Sequence, residues 1–174
     1  MRLALFEGPG AGLSIRLGVI TNEGIVDAEA VTVRLSAHSP QELMSQVIAN
    51  FDELRPLLEK QAANAAPLPL DVVRLRPPTP RPGKFINCIG NYWEHAQREP
   101  RALNMFLKNP DAVIGPGDTI VLPEVTEATF FDGPGPYVFQ HEAELGLVLR
   151  GPSKNIKQSD WRKAIFGVTG VIDV

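Results

Sequence analysis

The chain has 174 residues, 44% hydrophobic and 21% charged, with a formal net charge of -3. That length suits one ordinary domain with a core, or a small domain leading into a second. Its 17 Lys and Arg stand against 20 Asp and Glu and are scattered, so no basic surface is expected to hold a phosphate backbone, and nucleic acid is excluded as the expected partner.

The opening Met1-Arg2-Leu3-Ala4-Leu5-Phe6 carries one positive charge, but its apolar run stops at Glu7 and Gly8, too short for a signal sequence. No stretch approaches the ~20 apolar residues of a membrane span. The single cysteine, Cys88, has no internal disulfide partner, and a reducing cytoplasm is the expected location. Residues 2–6, 14–20 and 24–28 are short β-like runs separated by Gly8-Pro9-Gly10 and Thr21-Asn22-Glu23-Gly24, which predicts a small antiparallel sheet. Ser39-Pro40-Gln41-Glu42 sets a capping hydroxyl before a proline at the first helical position, with a glutamate three residues after the cap, so a helix is predicted to start there. Leu43, Val47, Ile48, Phe51, Leu54 and Leu58 continue it at helical spacing as core residues. Pro56 is expected to kink or restart this helix, and Ala-Asn-Ala-Ala-Pro at residues 63–67 to end it.

Residues 76–83, Arg-Pro-Pro-Thr-Pro-Arg-Pro-Gly, favour stiff, extended backbone. They are read as a linker between a small N-terminal domain, residues 1–75, and a second domain, residues 84–174. In that second part, residues 84–89 are predicted as a buried strand with Cys88 as a core thiol, since no base is implied beside it. Residues 93–98 are predicted as a helical turn, 119–122 as a strand and 132–136 as a loop.

The segment His141-Glu142-Ala143-Glu144-Leu145-Gly146-Leu147-Val148-Leu149 carries the most chemical information. In a strand, alternate side chains share a face, so Glu142 and Glu144 point one way while Ala143, Leu145, Leu147 and Leu149 are expected to enter the core. His141 then turns to the face opposite Glu142. Two carboxylates with ~7 Å between their Cα atoms repel when partly desolvated, unless a cation neutralises them or one takes up a proton. A second apolar run, residues 165–172, ends at Asp173 after a short polar helix predicted to begin near Ser159 or Asp160. Should that run lie beside the first, a third carboxylate joins the pair. Three oxygen ligands without thiolate suit a hard ion such as Mg²⁺, Mn²⁺ or Ca²⁺ over zinc. The plain alternative is that Glu142 and Glu144 line the solvated face of an edge strand, and their spacing alone does not separate the two readings.

Several ordered motifs add to this. Lys84-Phe85-Ile86-Asn87-Cys88-Ile89-Gly90-Asn91-Tyr92-Trp93-Glu94-His95-Ala96 resembles the start of the catalytic domain of the fumarylacetoacetate hydrolase family. Phe106-Leu107-Lys108 and Gly115-Pro116-Gly117-Asp118 are similar to segments that follow it there. The Glu142 and Glu144 strand is similar to that family's paired-glutamate metal strand, and residues 167–174 to the strand carrying its third acidic ligand. The likeness covers residues 84–174, whereas residues 1–75 resemble only loosely the small N-terminal domain of many bacterial members.

The resemblance implies an α+β, mostly β fold: a small N-terminal α/β domain, then the first part of a mixed β-sandwich roll. It implies Mg²⁺, or Mn²⁺ or Ca²⁺, held by Glu142, Glu144 and Asp173, and a small 2-oxo acid substrate that chelates the ion. The implied reaction is cleavage of a carbon-carbon bond in an acylpyruvate-like or β-diketo acid. His95 is the implied general base, Glu99 its acidic partner, and Lys108 and Tyr92 the substrate contacts. Relatives with a His-Glu pair usually place the glutamate three residues after the histidine, where Arg98 stands here. Glu99, one residue on, remains on the same side of a helix.

Two further readings accompany this one. The same platform would serve an isomerase, hydratase or decarboxylase of a 2-oxo dioic acid in aromatic catabolism. Family chains also run well beyond residue 174, and this one stops inside an apolar strand, so it is read as a truncated product or gene fragment. A non-catalytic or split-protein fragment that binds a partner chain is the corresponding reading, with a homodimer expected once a C-terminal half completes the domain.

Overall fold

Short apolar runs near the N-terminus form the sheet that the sequence predicts. In the structure, a computed structural model that describes residues 1–9, 14–92, 102–122 and 139–174, β1 (Arg2–Glu7), β2 (Ile15–Ile20) and β3 (Ile25–Asp27) are antiparallel neighbours. β4 (Arg74–Arg76) joins the other side of β1, giving the order β3-β2-β1-β4. Contacts divide the chain into two units, Met1–Asp118 and Thr119–Val174, and the proline-rich residues 76–83 fall inside the first.

The register places Leu3 opposite Val19, Leu5 opposite Leu17 and Val19 opposite Val26 on one face of this sheet. Ala4, Phe6, Ile20 and Ile25 share the other face, where Leu68, Val73 and Leu75 pack against them. The short helix α1 (Glu29–Thr32) is followed by α2 (Pro40–Ala49) and α3 (Phe51–Asn64), whose Met44, Val47, Ile48, Leu54 and Leu58 are buried with Leu5 and Leu17. Helix α2 starts as predicted, with the Ser39 hydroxyl accepting from the Glu42 backbone N–H at 3.1 Å. The Glu42 carboxylate reaches back to the His38 N–H at 2.8 Å, so a second donor ahead of the helix is satisfied.

Pro56 does not break the helix. The interruption falls at Asn50, and α3 runs through Pro56 to Asn64. A break at Pro56 would take Leu54 and Leu58, both buried, out of step with each other, and the cost of one missing backbone hydrogen bond is the smaller loss.

β5 (Phe85–Ile89) pairs antiparallel with β6 (Asn104–Lys108) as a two-stranded sheet. The expectation of a buried apolar strand is corrected here: Asn87 is its buried residue, Cys88 is half-buried, and Ile86 and Ile89 are exposed. Among the described residues β5 has only β6 as a strand neighbour, and a ribbon of two strands cannot enclose both of its faces. Residues 119–122, expected as a strand, are irregular, with Val121 84% exposed. No described strand pairs with them, and an extended run without a ladder partner is not held as a sheet. The turn expected at residues 93–98 and the loop at 132–136 lie outside the described residues.

In the second unit β7 (Glu142–Leu149) and β8 (Ile165–Asp173) are antiparallel, with an irregularity between Val148 and Leu149. A 3-10 turn, Gln158–Asp160, leads into the short helix α4 (Trp161–Ala164), as the polar sequence before the second run predicts. The Arg150 N–H donates to the Ala164 carbonyl at 2.7 Å and closes the base of this ribbon. The protein is thus α+β and mostly sheet, and no described helix is long and apolar enough to cross a membrane.

Candidate functional site

β7 and β8 bring the three acidic residues to one face. Glu142 stands directly opposite Asp173, and Glu144 opposite Val171. Directly opposed residues of an antiparallel pair project from the same side, with Cα atoms about 4.5–5.5 Å apart. Glu142 and Glu144 are two positions apart on one strand, about 7 Å between Cα atoms, and the diagonal from Asp173 to Glu144 is about 7–8 Å.

Local packing supports this register. A Cβ on Gly146, which follows Glu144 on that face, would lie 2.7 Å from Val171 Cγ2 and 3.0 Å from Thr169 Cγ2. The glycine therefore lets the two strands close beside the carboxylates. Glu144, Gly146, Thr169, Val171 and Asp173 are all partly covered. The opposite face carries Leu145, Leu147, Val168 and Ile172, each 57–65% exposed. The side chains alternate as expected, but the leucines expected in the core lie on the more exposed face, because two strands alone supply no second layer to bury them.

Among the described residues, no three His, Cys, Asp or Glu side chains stand close enough together to hold a metal ion. The shared face is a property of the backbone register, and gathering the oxygens around one centre is left to side-chain rotation between staggered wells. The donor set fits a hard divalent cation: carboxylate oxygens only, with no thiolate.

The remaining candidates are distributed as follows. Lys108 ends β6, half-buried and opposite Phe85, and Tyr92 lies half-buried a few residues beyond β5. Both belong to the first unit, the acidic trio to the second. His95 and Glu99 lie outside the described residues.

One charged cluster was not anticipated from the sequence. Gly115-Pro116-Gly117-Asp118 forms a β-turn in which the Asp118 N–H donates to the Gly115 carbonyl at 3.1 Å, and Gly117 takes φ +80°, the conformation that the third position of a type II turn requires. The Asp118 carboxylate accepts from the Gly115 N–H at 2.8 Å and from the Arg74 guanidinium. Those two donors hold its pKa below the usual carboxylate value, the backbone N–H contributing most. Arg76 lies 3.9 Å from the same carboxylate and donates twice to Glu7, at 2.6 and 3.0 Å. Arg74 and Asp118 are 44 residues apart, too far for any spacing rule to pair them.

The sequence model described as Fumarylacetoacetate (FAA) hydrolase C-terminal matches residues 84–174. A mitochondrial oxaloacetate tautomerase of Bos taurus is 29% identical over 180 residues, covering 100% of this chain and 52% of its own length. A maleylpyruvate hydrolase of Aquipseudomonas alcaligenes is 26% identical over 176 residues, covering 91% of this chain and 58% of its own. Among solved structures, maleylpyruvate hydrolase from Sphingobium sp. SYK-6, in complex with manganese(II) and pyruvate, superposes with a TM-score of 0.77 at 31% identity, over 99% of this chain and 58% of that one. The match covers 38% and 52% of the length of two of the curated relatives, a protein of Pyrococcus horikoshii and the bovine tautomerase.

Proposed function

This chain belongs to the fumarylacetoacetate hydrolase family, and we propose that it forms the metal-holding part of an enzyme that cleaves a carbon-carbon bond in an acylpyruvate-like acid. The observation that carries the reading is the register that sets Glu142 against Asp173, with Glu144 on the same face. The relation to a maleylpyruvate hydrolase bound to manganese(II) and pyruvate supports both the divalent ion and the substrate class.

Glu142, Glu144 and Asp173 bind the cation, most simply Mg²⁺ or Mn²⁺, through carboxylate oxygens. A divalent ion at such a site supplies Lewis-acid stabilisation of negative charge on the oxygens of an oxo acid. His95 takes a proton from the attacking water near neutral pH, with Glu99 favouring the protonated imidazole. Lys108 and Tyr92 orient the substrate through its carboxylate, one by charge and the other by its hydroxyl.

The second reading, isomerisation of a 2-oxo dioic acid, is favoured by the bovine oxaloacetate tautomerase, whose similarity spans the whole chain. It uses the same carboxylates and needs no hydrolytic water. Calorimetric titration of Mg²⁺ or Mn²⁺ tests the shared part. Glu142→Ala is expected to lose metal binding, and His95→Ala to keep it while losing turnover of an acylpyruvate. Equal metal affinity in Glu142→Ala and the parent chain refutes the ligand assignment. Absence of any divalent binding in the parent favours a non-catalytic fragment that binds a partner chain. Retention of tautomerisation without hydrolysis selects the second reading.

A further inference from the structure

We propose that Arg74 and Arg76, in the N-terminal part of the chain, are positioning residues that grip Asp118 and thereby hold Lys108 and the ten residues after it in place. The inference rests on the reading of Lys108 as a substrate contact, and it assigns a purpose to a stretch that precedes the family's matched region, residues 84–174.

The segment 109–118 begins where β6 ends. Its near end is fixed by the pairing of Lys108 with Phe85. Asn109 then caps a 3-10 turn, Pro110–Ala112, by accepting from the Asp111 N–H at 3.0 Å. Its far end is the type II turn, where Asp118 meets Arg74 and Arg76. Gly115 lies against the same stretch, since a Cβ there would come 3.0 Å from Pro77 Cδ and 3.5 Å from the Leu75 carbonyl oxygen.

The gripping arginines are themselves anchored. β4 carries both and pairs with β1, with Glu7 opposite Arg74 and Leu5 opposite Arg76. Arg76 also holds Glu7 through two hydrogen bonds. A second strap joins Arg81 to Asp111, and the Arg81 N–H donates to the Gln41 side chain on α2 at 2.9 Å. Exposure separates the two straps. The Arg81 and Asp111 side chains are 72% and 57% exposed, so both ends of their pair are screened by water; at the other strap Arg74 is also 56% exposed, but Asp118, with Arg76 and Glu7, is only 15–21% exposed. The grip on Asp118 therefore has one sheltered end and is the less screened of the two.

With both ends held, the segment is a short tether with little freedom, and the last residue of β6 cannot fray from β5. Release of the Asp118 end leaves Lys108 as the terminal residue of a two-stranded ribbon, where strand ends open most readily.

The test is the rate at which Lys108 is acylated by a water-soluble active ester, followed by mass spectrometry and normalised to Lys60, an exposed lysine on α3. Arg74→Gln removes the hydrogen-bonded half of the grip and leaves Arg76 at 3.9 Å from Asp118. Asp118→Asn keeps an oxygen for the Gly115 N–H and turns the acceptor that faces Arg74 into an uncharged N–H donor. Both variants are expected to acylate Lys108 about two- to fivefold faster, the range of an ion pair with one exposed partner, while Arg74→Lys keeps the parent rate. An unchanged Lys108 rate in both variants, or an equal rise in Arg74→Lys, overturns the proposal. The measurement needs no metal, so failure of the functional reading, seen as absent Mg²⁺ binding in the parent chain, is distinguished from failure of this one.

Discussion

Glu142→Gln should change the sign of its effect on stability when a divalent cation is added. Glu142 and Asp173 are directly opposed on β7 and β8. With charge centres about 5.5 Å apart and a dielectric near that of water, suited to an exposed strand end, the repulsion is about 0.8 kcal/mol before screening by salt. That agrees with the ~0.2–1 kcal/mol scale of cross-strand side-chain pairs. In chelator, Glu142→Gln should therefore be more stable than the parent by a few tenths to about 1 kcal/mol, a rise in Tm of roughly 1–4 °C. At a Mg²⁺ concentration about 100 times its Kd, the parent gains about 2.7 kcal/mol. A variant binding about a hundredfold more weakly gains only about 0.4 kcal/mol at the same concentration, so the order inverts. Thermal melts in chelator and across a Mg²⁺ or Mn²⁺ series read both halves. The reasoning fails if Glu142→Gln is the less stable form in chelator, or if both chains gain equally from the metal.

Three other outcomes follow from particular contacts. Gly146→Val places a branched side chain where even a Cβ would stand 2.7 Å from Val171, so the second unit should lose about 1–3 kcal/mol and its metal-induced Tm shift should shrink; an unaltered melt in both conditions would falsify the close approach. Leu58→Ala, at a fully buried position, should cost about 2–5 kcal/mol in urea unfolding, and a loss well under 1 kcal/mol would remove α3 from the core. Asp118 has a lowered folded pKa, so its contribution is complete above the unfolded carboxylate value of about 3.9 and disappears as pH falls through the lower folded value. Acid titration of Asp118→Asn should accordingly show a shallower stability loss below about pH 4 than the parent, and coincident curves would contradict it.

The local rules that were legible in the sequence are those whose partners are near in the chain. The Ser39-Pro40-Gln41-Glu42 signature started α2 where expected because its hydrogen bonds span four residues or fewer. The turn sequences around Gly8 and Gly24 delimited β1 to β3 for the same reason. The restart expected as one outcome at Pro56 falls at Asn50 instead, because the proline's own preference is outweighed by the burial of Leu54 and Leu58, which belongs to the assembled core. β4 is three residues long, too short for periodicity, and is recognisable only beside β1. Residues 119–122 have strand-like composition but no described ladder partner, and composition does not report partners.

The candidate site divides along the same line. That Glu142 and Glu144 share a face was fixed by alternation along one strand, a covalent consequence of the pleat. That Asp173 sits opposite Glu142 was decided by the register of β7 on β8, where a slip of one residue would turn the third carboxylate to the leucine face. The grip of Arg74 and Arg76 on Asp118 likewise exists only once the chain has closed a loop of some forty residues. Residue chemistry and strand period are written in the sequence because they act over a few bonds. Pairing between distant segments is settled by folding, since it depends on which loops close and which faces find cover.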